Sequence, residues 1–165
     1  MDLRPWDARG QAAANALVRI LQTALPGPAI EHVGSTAVPG CDGKGILDLM
    51  VLIPAGHLSE ACAVIDGLGF QHQSGGKRHP DSRPMREGSF TFDGSVFRVH
   101  VHLIPESSAE VDRLRKFRDR LAANPELVAL YVEHKRRLID AQISDRSTYT
   151  QGKTAFIQSV LKSEA

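Results

Sequence analysis

A chain of 165 residues with 42% hydrophobic and 24% charged side chains has the make-up of a soluble globular protein, and the length suits one domain, residues 1–165. Net charge is +1, so no global field draws it to nucleic acid or to an anionic membrane. Two cysteines, Cys41 and Cys62, make no disulfide framework, no run approaches the roughly 20 apolar residues of a membrane span, and the start Met-Asp-Leu-Arg-Pro-Trp lacks the basic flank and apolar stretch of a signal peptide; a cytoplasmic protein with reduced thiols is expected.

Residues 7–24 place Ala12, Ala13, Leu17, Ile20 and Leu21 at helical spacing, and Pro26-Gly27-Pro28 ends that helix. A short strand over 30–33 leads into the turn Gly34-Ser35-Thr36. Residues 46–53, Ile-Leu-Asp-Leu-Met-Val-Leu-Ile, read as a buried strand with Asp48 as its one acid, ended by Pro54. Residues 57–68 form a second helix with Leu58, Cys62, Ile65 and Leu68 inward, closed by Gly69.

Residues 71–88 show no periodicity and set Lys77, Arg78, His79, Arg83 and Arg86 against Asp81 and Glu87. A segment this long reads equally as a solvated loop or as a cationic flap over substrate phosphates. Residues 89–93 and 96–104 then form a hairpin turning at Asp93-Gly94, whose second strand alternates Phe97, Val99, Val101 and Leu103 with Arg98, His100 and His102. Three helices follow: 107–122 capped by Ser107 or Ser108, then Asn124-Pro125 to about 142, then about 145–162. This order implies an α+β fold, a small mixed sheet with helices on one face and at one end and a helical C-terminal part.

The chemistry concentrates at two places. A Gly34-Ser35-Thr36 turn offers backbone N–H groups and two hydroxyls to phosphate oxygens. Taken alone, Ser35 and Thr36 read better as caps of the turn 36–38. A lone carboxylate in an apolar strand is a metal ligand or a costly burial, which singles out Asp48. Asp48 with His100 and His102 suits a borderline ion such as Mn²⁺ or Zn²⁺ better than Mg²⁺. Alternatively His100, His102 and Arg98 bind a triphosphate directly. Lys44, in the loop before Asp48, is placed to reach an anion. His32 is as readily a satisfied strand histidine as a site residue, and Asp42 reads as loop surface. Tyr131 with Lys135, and Tyr149 with Lys153, are i,i+4 pairs; the tyrosines read as scaffold and Lys153 stays open. Cys62 reads as core, and Cys41 has no base beside it in sequence.

The stretch His32-Val-Gly-Ser-Thr-Ala-Val-Pro-Gly40, with Lys44 and Ile46-Leu47-Asp48, resembles the opening motif of the GrpB family (UPF0157), within the nucleotidyltransferase superfamily. Arg98-Val-His100-Val-His102-Leu, Asn124-Pro125-Glu126, Tyr131, Lys135, Leu138, Tyr149-Thr-Gln-Gly-Lys153 and Ala155-Phe156-Ile157 extend the resemblance over 29–160. It implies a nucleotidyltransferase-like fold, phosphate contact by Gly34, Ser35 and Thr36, and Asp48 as ligand of a divalent metal, Mg²⁺ or Mn²⁺ with Zn²⁺ as a third candidate. Where the superfamily strand repeats an acid two residues on, this chain has Met50, as the GrpB pattern does. Lys44-Gly45 also stands where relatives have Lys-Pro. The expectation is binding of a nucleotide or related phosphate compound, with nucleotidyl transfer. The alternative is a silent nucleotide- or coenzyme A-binding module assisting a protein partner, since relatives occur fused to dephospho-coenzyme A kinase. No DNA or RNA readout is expected: there is no long basic stripe and few aromatics for stacking.

Overall fold

The computed structural model describes residues 2–75, 78–141 and 146–163. Asp7 starts helix α1 (Ala8–Ala24) by accepting from the Arg9 N–H at 2.9 Å, and one stripe of the helix, Ala13, Ala14, Leu17 and Leu21, is buried. Strand β1 (Ile30–Val33) passes through a single 3₁₀ turn at Ser35–Ala37 to β2 (Ile46–Ile53); helix α2 (Leu58–Gly67) follows. Strands β3 (Gln71–His72), β4 (Met85–Phe92) and β5 (Ser95–Pro105) complete a mixed sheet of order β1-β2-β5-β4-β3. Only β2 and β5 are parallel; the other pairs are antiparallel. The β4–β5 turn has positive φ at both Asp93 (47°) and Gly94 (69°), as a two-residue hairpin requires.

The alternation in β2 and β5 sorts the two faces. Leu47, Leu49, Val51, Ile53, Val99, Val101 and Leu103 point to one side, where α1 and α2 cover them in the main core. Asp48, Met50, Leu52, His100, His102 and Ile104 point to the other. Its far half, Met50, Leu52 and Ile104, is covered by Val111 and Leu114 of helix α3 (Ala109–Ala123). Its near half, Asp48 with the two histidines, is left to a cleft. Helices therefore pack both faces, whereas the sequence suggested one face and one end. Helices α4 (Pro125–Asp140) and α5 (Arg146–Lys162) join Val38 and Cys41 in a third cluster through Tyr131, Val132 and Phe156. Asn124 accepts from the Leu127 N–H at 3.1 Å with Pro125 behind it, the start read from the sequence.

The segment read as an irregular loop over 71–88 is shorter than that. Residues 85–88 belong to β4, and Arg86 is no flap cation: it is buried and donates to Asp66 at 2.5 Å, tying the sheet to α2. Burial of that strand end is hidden in the sequence because its anchor is an ion pair instead of an apolar side chain. Lys77 lies outside the described residues.

Candidate functional site

The parallel pairing of β2 with β5 sets His100 beside Asp48 and His102 beside Met50. Both rings turn to the acid: His102 Nε2 lies 3.1 Å and His100 Nδ1 3.4 Å from Asp48 Oδ1. Burial pushes the Asp48 carboxyl up, but hydrogen bonds from the two histidines outweigh it and hold the group well below the usual carboxylate range. The three side chains are 28, 20 and 19% exposed, sheltered yet open to a ligand. Each offers one ligand atom within 4.8 Å of the others. Among the described residues, His100 Nε2 is a buried nitrogen with no hydrogen-bond partner. Two imidazole nitrogens and one carboxylate oxygen make an N₂O donor set that fits a borderline divalent cation. Met50, where the resemblance asks for a second acid, is fully buried under α3.

The turn before β2 is fastened from within. Thr36 Oγ1 donates to the Ile46 carbonyl at 2.9 Å, so its proton is spent and it accepts from His32 Nε2 at 2.8 Å. The Thr36 hydroxyl is thus engaged locally, and burial holds the His32 ring neutral by pushing its pKa to about 4. Ser35 is different. Its Oγ accepts from Lys135 Nζ at 3.2 Å, which leaves the hydroxyl proton to point elsewhere.

Lys135 is the residue the sequence undervalued. The residue is 1% exposed, and its ammonium donates to the Asp42 carbonyl, lies 3.5 Å from Cys41 Sγ and sits 4.5 Å over the Tyr131 ring. Asp42, read as loop surface, is a clamp as well: its carboxylate accepts from the Trp6 N–H at 3.1 Å and from Arg136 at 2.8 Å. The i,i+4 spacing of Tyr131 and Lys135 was visible in the sequence, but the turn they grip is about ninety residues away. Beyond Lys135, two more ammonium groups gather at one aromatic ring. Lys44 Nζ is 4.2 Å and Lys153 Nζ 4.8 Å from the Tyr149 centroid. Burial, with Lys44 and Lys135 nearby, pushes Lys153 down to about 8.

These residues line one cleft of about 600 Å³. Lys135 meets Ser35 there, Lys44 and Lys153 meet over Tyr149, Asp48 and His100 come from the sheet face, and Arg83 and Arg113 meet at Glu110; Arg78 and Arg98 also line it. Seven lysines and arginines face three acids there, Asp48, Glu87 and Glu110. His79 enters from residues 78–84 with its ring edge-on to His102, 5.3 Å between centroids. Burial pushes it to about 4, so this flap residue is neutral, not a cation.

The GrpB protein family matches residues 1–163. The chain belongs to the GrpB family. A UPF0157 protein of Pseudomonas aeruginosa is 39% identical over 159 residues, 94% of this chain and 62% of the relative. A UPF0157 protein of Vibrio cholerae is 32% identical over 83% of this chain and 68% of its own length. This GrpB chain thus spans less than two thirds of the Pseudomonas protein. Among solved structures, a GrpB protein of Enterococcus faecalis superposes with a TM-score of 0.78 at 22% identity, covering 98% of this chain and 95% of that one. The Cid1 poly(U) polymerase, solved with MgGTP bound, superposes with a TM-score of 0.61 at 16% identity, over 91% of this chain and 50% of its own. The fold of this GrpB protein is therefore nucleotidyltransferase-like, α+β with a five-stranded mixed sheet. No helix among the described residues is long and apolar enough to cross a membrane.

Proposed function

We propose that this cleft binds a nucleoside triphosphate and that the protein transfers its nucleotidyl group. The observation that carries the reading is the position of Asp48, held between two histidines in a cleft whose charged lining residues are mostly cationic. Lys44, Lys153 and the Ser35 hydroxyl would take the phosphate oxygens, with Gly34 letting the turn pass close to Asp48 and Lys135 holding the turn in place. Asp48, His100 and His102 would hold a divalent ion, which supplies Lewis-acid polarisation of an α-phosphate and charge for the departing pyrophosphate. Arg98, on the same strand face, would neutralise a further phosphate charge. The neutral His32 and the hydrogen-bonded Thr36 hydroxyl keep the turn rigid.

One observation favours a second reading. Met50 is buried, so β2 offers the cleft one carboxylate where the superfamily strand repeats an acid, which suits a silent binder of a nucleotide or coenzyme A-like phosphate acting with a protein partner. Thermal unfolding separates the two. Unfolding is followed against ATP, GTP, CTP, UTP and coenzyme A, with and without Mg²⁺, Mn²⁺ or Zn²⁺, beside Asp48→Asn. A ligand at about 100 times its dissociation constant adds roughly 2.7 kcal/mol, a midpoint rise of roughly 5–10 °C. A metal-dependent rise that Asp48→Asn abolishes supports the transferase. A metal-independent rise supports the silent binder, and no rise with any ligand sinks both.

A further inference from the structure

Two cationic groups of different chemistry line the cleft with Asp48: a lysine end, where Lys44 and Lys153 meet over the Tyr149 ring, and an arginine end, where Arg83 and Arg113 meet at Glu110. The lysine end is accounted for by the donor's phosphates, a reading on which this inference rests. The arginine end is not. There Arg113 donates to Glu110 through Nε at 3.0 Å and Nη2 at 3.2 Å, and Arg83 Nη1 lies 3.7 Å from the same carboxylate. Two guanidinium groups on one acid leave a surplus positive charge, and each carries five N–H donors in a fork that matches phosphate oxygens.

The acids of the cleft point the same way. Asp48 is occupied by its two histidines, Glu87 accepts from Ser74 Oγ at 2.9 Å, and Glu110 is held by the arginines. Each lining carboxylate is thus engaged, and a proton from an attacking hydroxyl would fall to the neutral His79 ring, whose pKa of about 4 makes it a weak base. A phosphate monoester needs no such help: its second pKa is about 6, so at neutral pH it is a dianion with nothing to remove.

We propose that the acceptor substrate is a phosphate monoester, gripped by Arg83 and Arg113, whose own phosphate oxygen is the nucleophile. That oxygen forms a bond to the α-phosphorus of the nucleotide, and the bond from the α-phosphorus to the bridging oxygen breaks. Pyrophosphate leaves with the electron pair, no proton moves, and the product is a phosphoanhydride joining acceptor and nucleotide.

Inorganic phosphate is the smallest probe of this site. Its binding is measured by calorimetry on the protein saturated with α,β-methylene ATP and Mn²⁺, for the wild type and for Arg83→Gln/Arg113→Gln. Both arginines are well exposed, at 37 and 44%, and unchanged nucleotide binding by the double variant serves as its folding control. The expected result is phosphate binding on top of bound nucleotide, weakened tenfold or more in the double variant. With ATP itself, labelled phosphate is expected to appear in ADP with release of pyrophosphate. Three results would overturn the inference: no phosphate binding to the nucleotide-loaded protein, phosphate binding that ignores both substitutions, or transfer to glycerol in preference to phosphate. Each leaves nucleotide binding standing, whereas failure of the methylene analogue to bind overturns the nucleotide reading and this inference with it.

Discussion

Gly34 and Asp48 touch so closely that a Cβ on Gly34 would stand 2.7 Å from Asp48 Oδ2 and 3.2 Å from its Cβ. The contact follows from register, since Val33 of β1 pairs with Asp48 of β2 and the chain turns immediately after. Gly34 also has a φ of 74°, a left-handed conformation that side chains resist. One residue therefore satisfies two demands, a tight turn and a close pass over the carboxylate.

Gly34→Ala should fail on both counts. Backbone strain and a displaced Asp48 are together worth about 1–3 kcal/mol, and a chain of this size loses roughly 2–4 °C per kcal/mol. Thermal unfolding is expected to show a midpoint several degrees lower, and added Mn²⁺ or Zn²⁺ should no longer raise it. A variant with the wild-type midpoint and metal response would show that the turn can open without disturbing the acid.

Lys135 fixes the same turn from the side of α4. Replacing it with Met keeps most of the apolar stem but strips partners from the Asp42 carbonyl and the Ser35 hydroxyl. Losing hydrogen bonds to a buried charged group costs about 1–3 kcal/mol, so the midpoint should fall by several degrees. The local effect is more telling. The Gly43 amide donates to the Arg4 carbonyl at 3.0 Å, and its hydrogen exchange should quicken in Lys135→Met while amides of β5 change little. Uniform quickening across the sheet would mean that Lys135 supports the fold at large and has no special hold on the turn.

The elements carried by periodicity and capping were legible in the sequence: the apolar run of β2, the two-residue alternation of β5, Asp93-Gly94 as a turn, and Asn124-Pro125 as a helix start. The facing of Asp48, His100 and His102 was legible too, because parity along two strands fixes which side chains share a face. What escaped were features whose cause is distant in the chain. Arg86 reads as loop because its burial depends on Asp66; Asp42 reads as surface because Trp6 and Arg136 reach it only in the fold. The arginine end was hidden for the same reason. Glu110 and Arg113 look like an ordinary i,i+3 helix pair until residues 78–84 bring Arg83 alongside.

Lys153 gives the cleft a pH limit on the alkaline side. Its pKa is pushed down to about 8 from an ordinary 10.5, chiefly by burial. In the ligand-free protein the unfolded chain binds the extra proton between pH 8 and 10.5, so this residue adds stability as pH rises through that window. Phosphate binding runs the opposite way, because it needs the ammonium. Affinity for ATP should fall as pH rises beyond about 8, by up to about tenfold per unit, and Lys153→Met should bind weakly with that dependence gone. Calorimetric titrations from pH 7 to 9.5 read both. An affinity flat across that range would remove Lys153 from the phosphate site.

His32 sets the acid limit. Burial pushes its pKa to about 4 from 6.5, and its Nε2–H is committed to Thr36 Oγ1 at 2.8 Å. Between those pH values the unfolded chain binds a proton that the folded chain refuses. Stability is therefore complete above pH 6.5 and declines toward pH 4, with a steepest slope of about 1.4 kcal/mol per pH unit for one such group. His79, pushed down to about 4 by burial and then by His102 and Arg83 beside it, adds to the loss in the same window. Asp48 does not contribute there, because its depressed carboxyl gives up its share only as pH falls below about 3.8. His32→Gln keeps a donor for Thr36 but cannot take up a proton. Unfolding midpoints from pH 7 to 4.5 should fall less steeply for His32→Gln than for the wild type, with the remaining slope shared by His79 and, toward pH 4.5, by Glu31 and Glu87, whose carboxyls are held low in the fold. Identical slopes would show that the His32 ring charges freely within the fold, and that Thr36 is held by the Ile46 carbonyl alone.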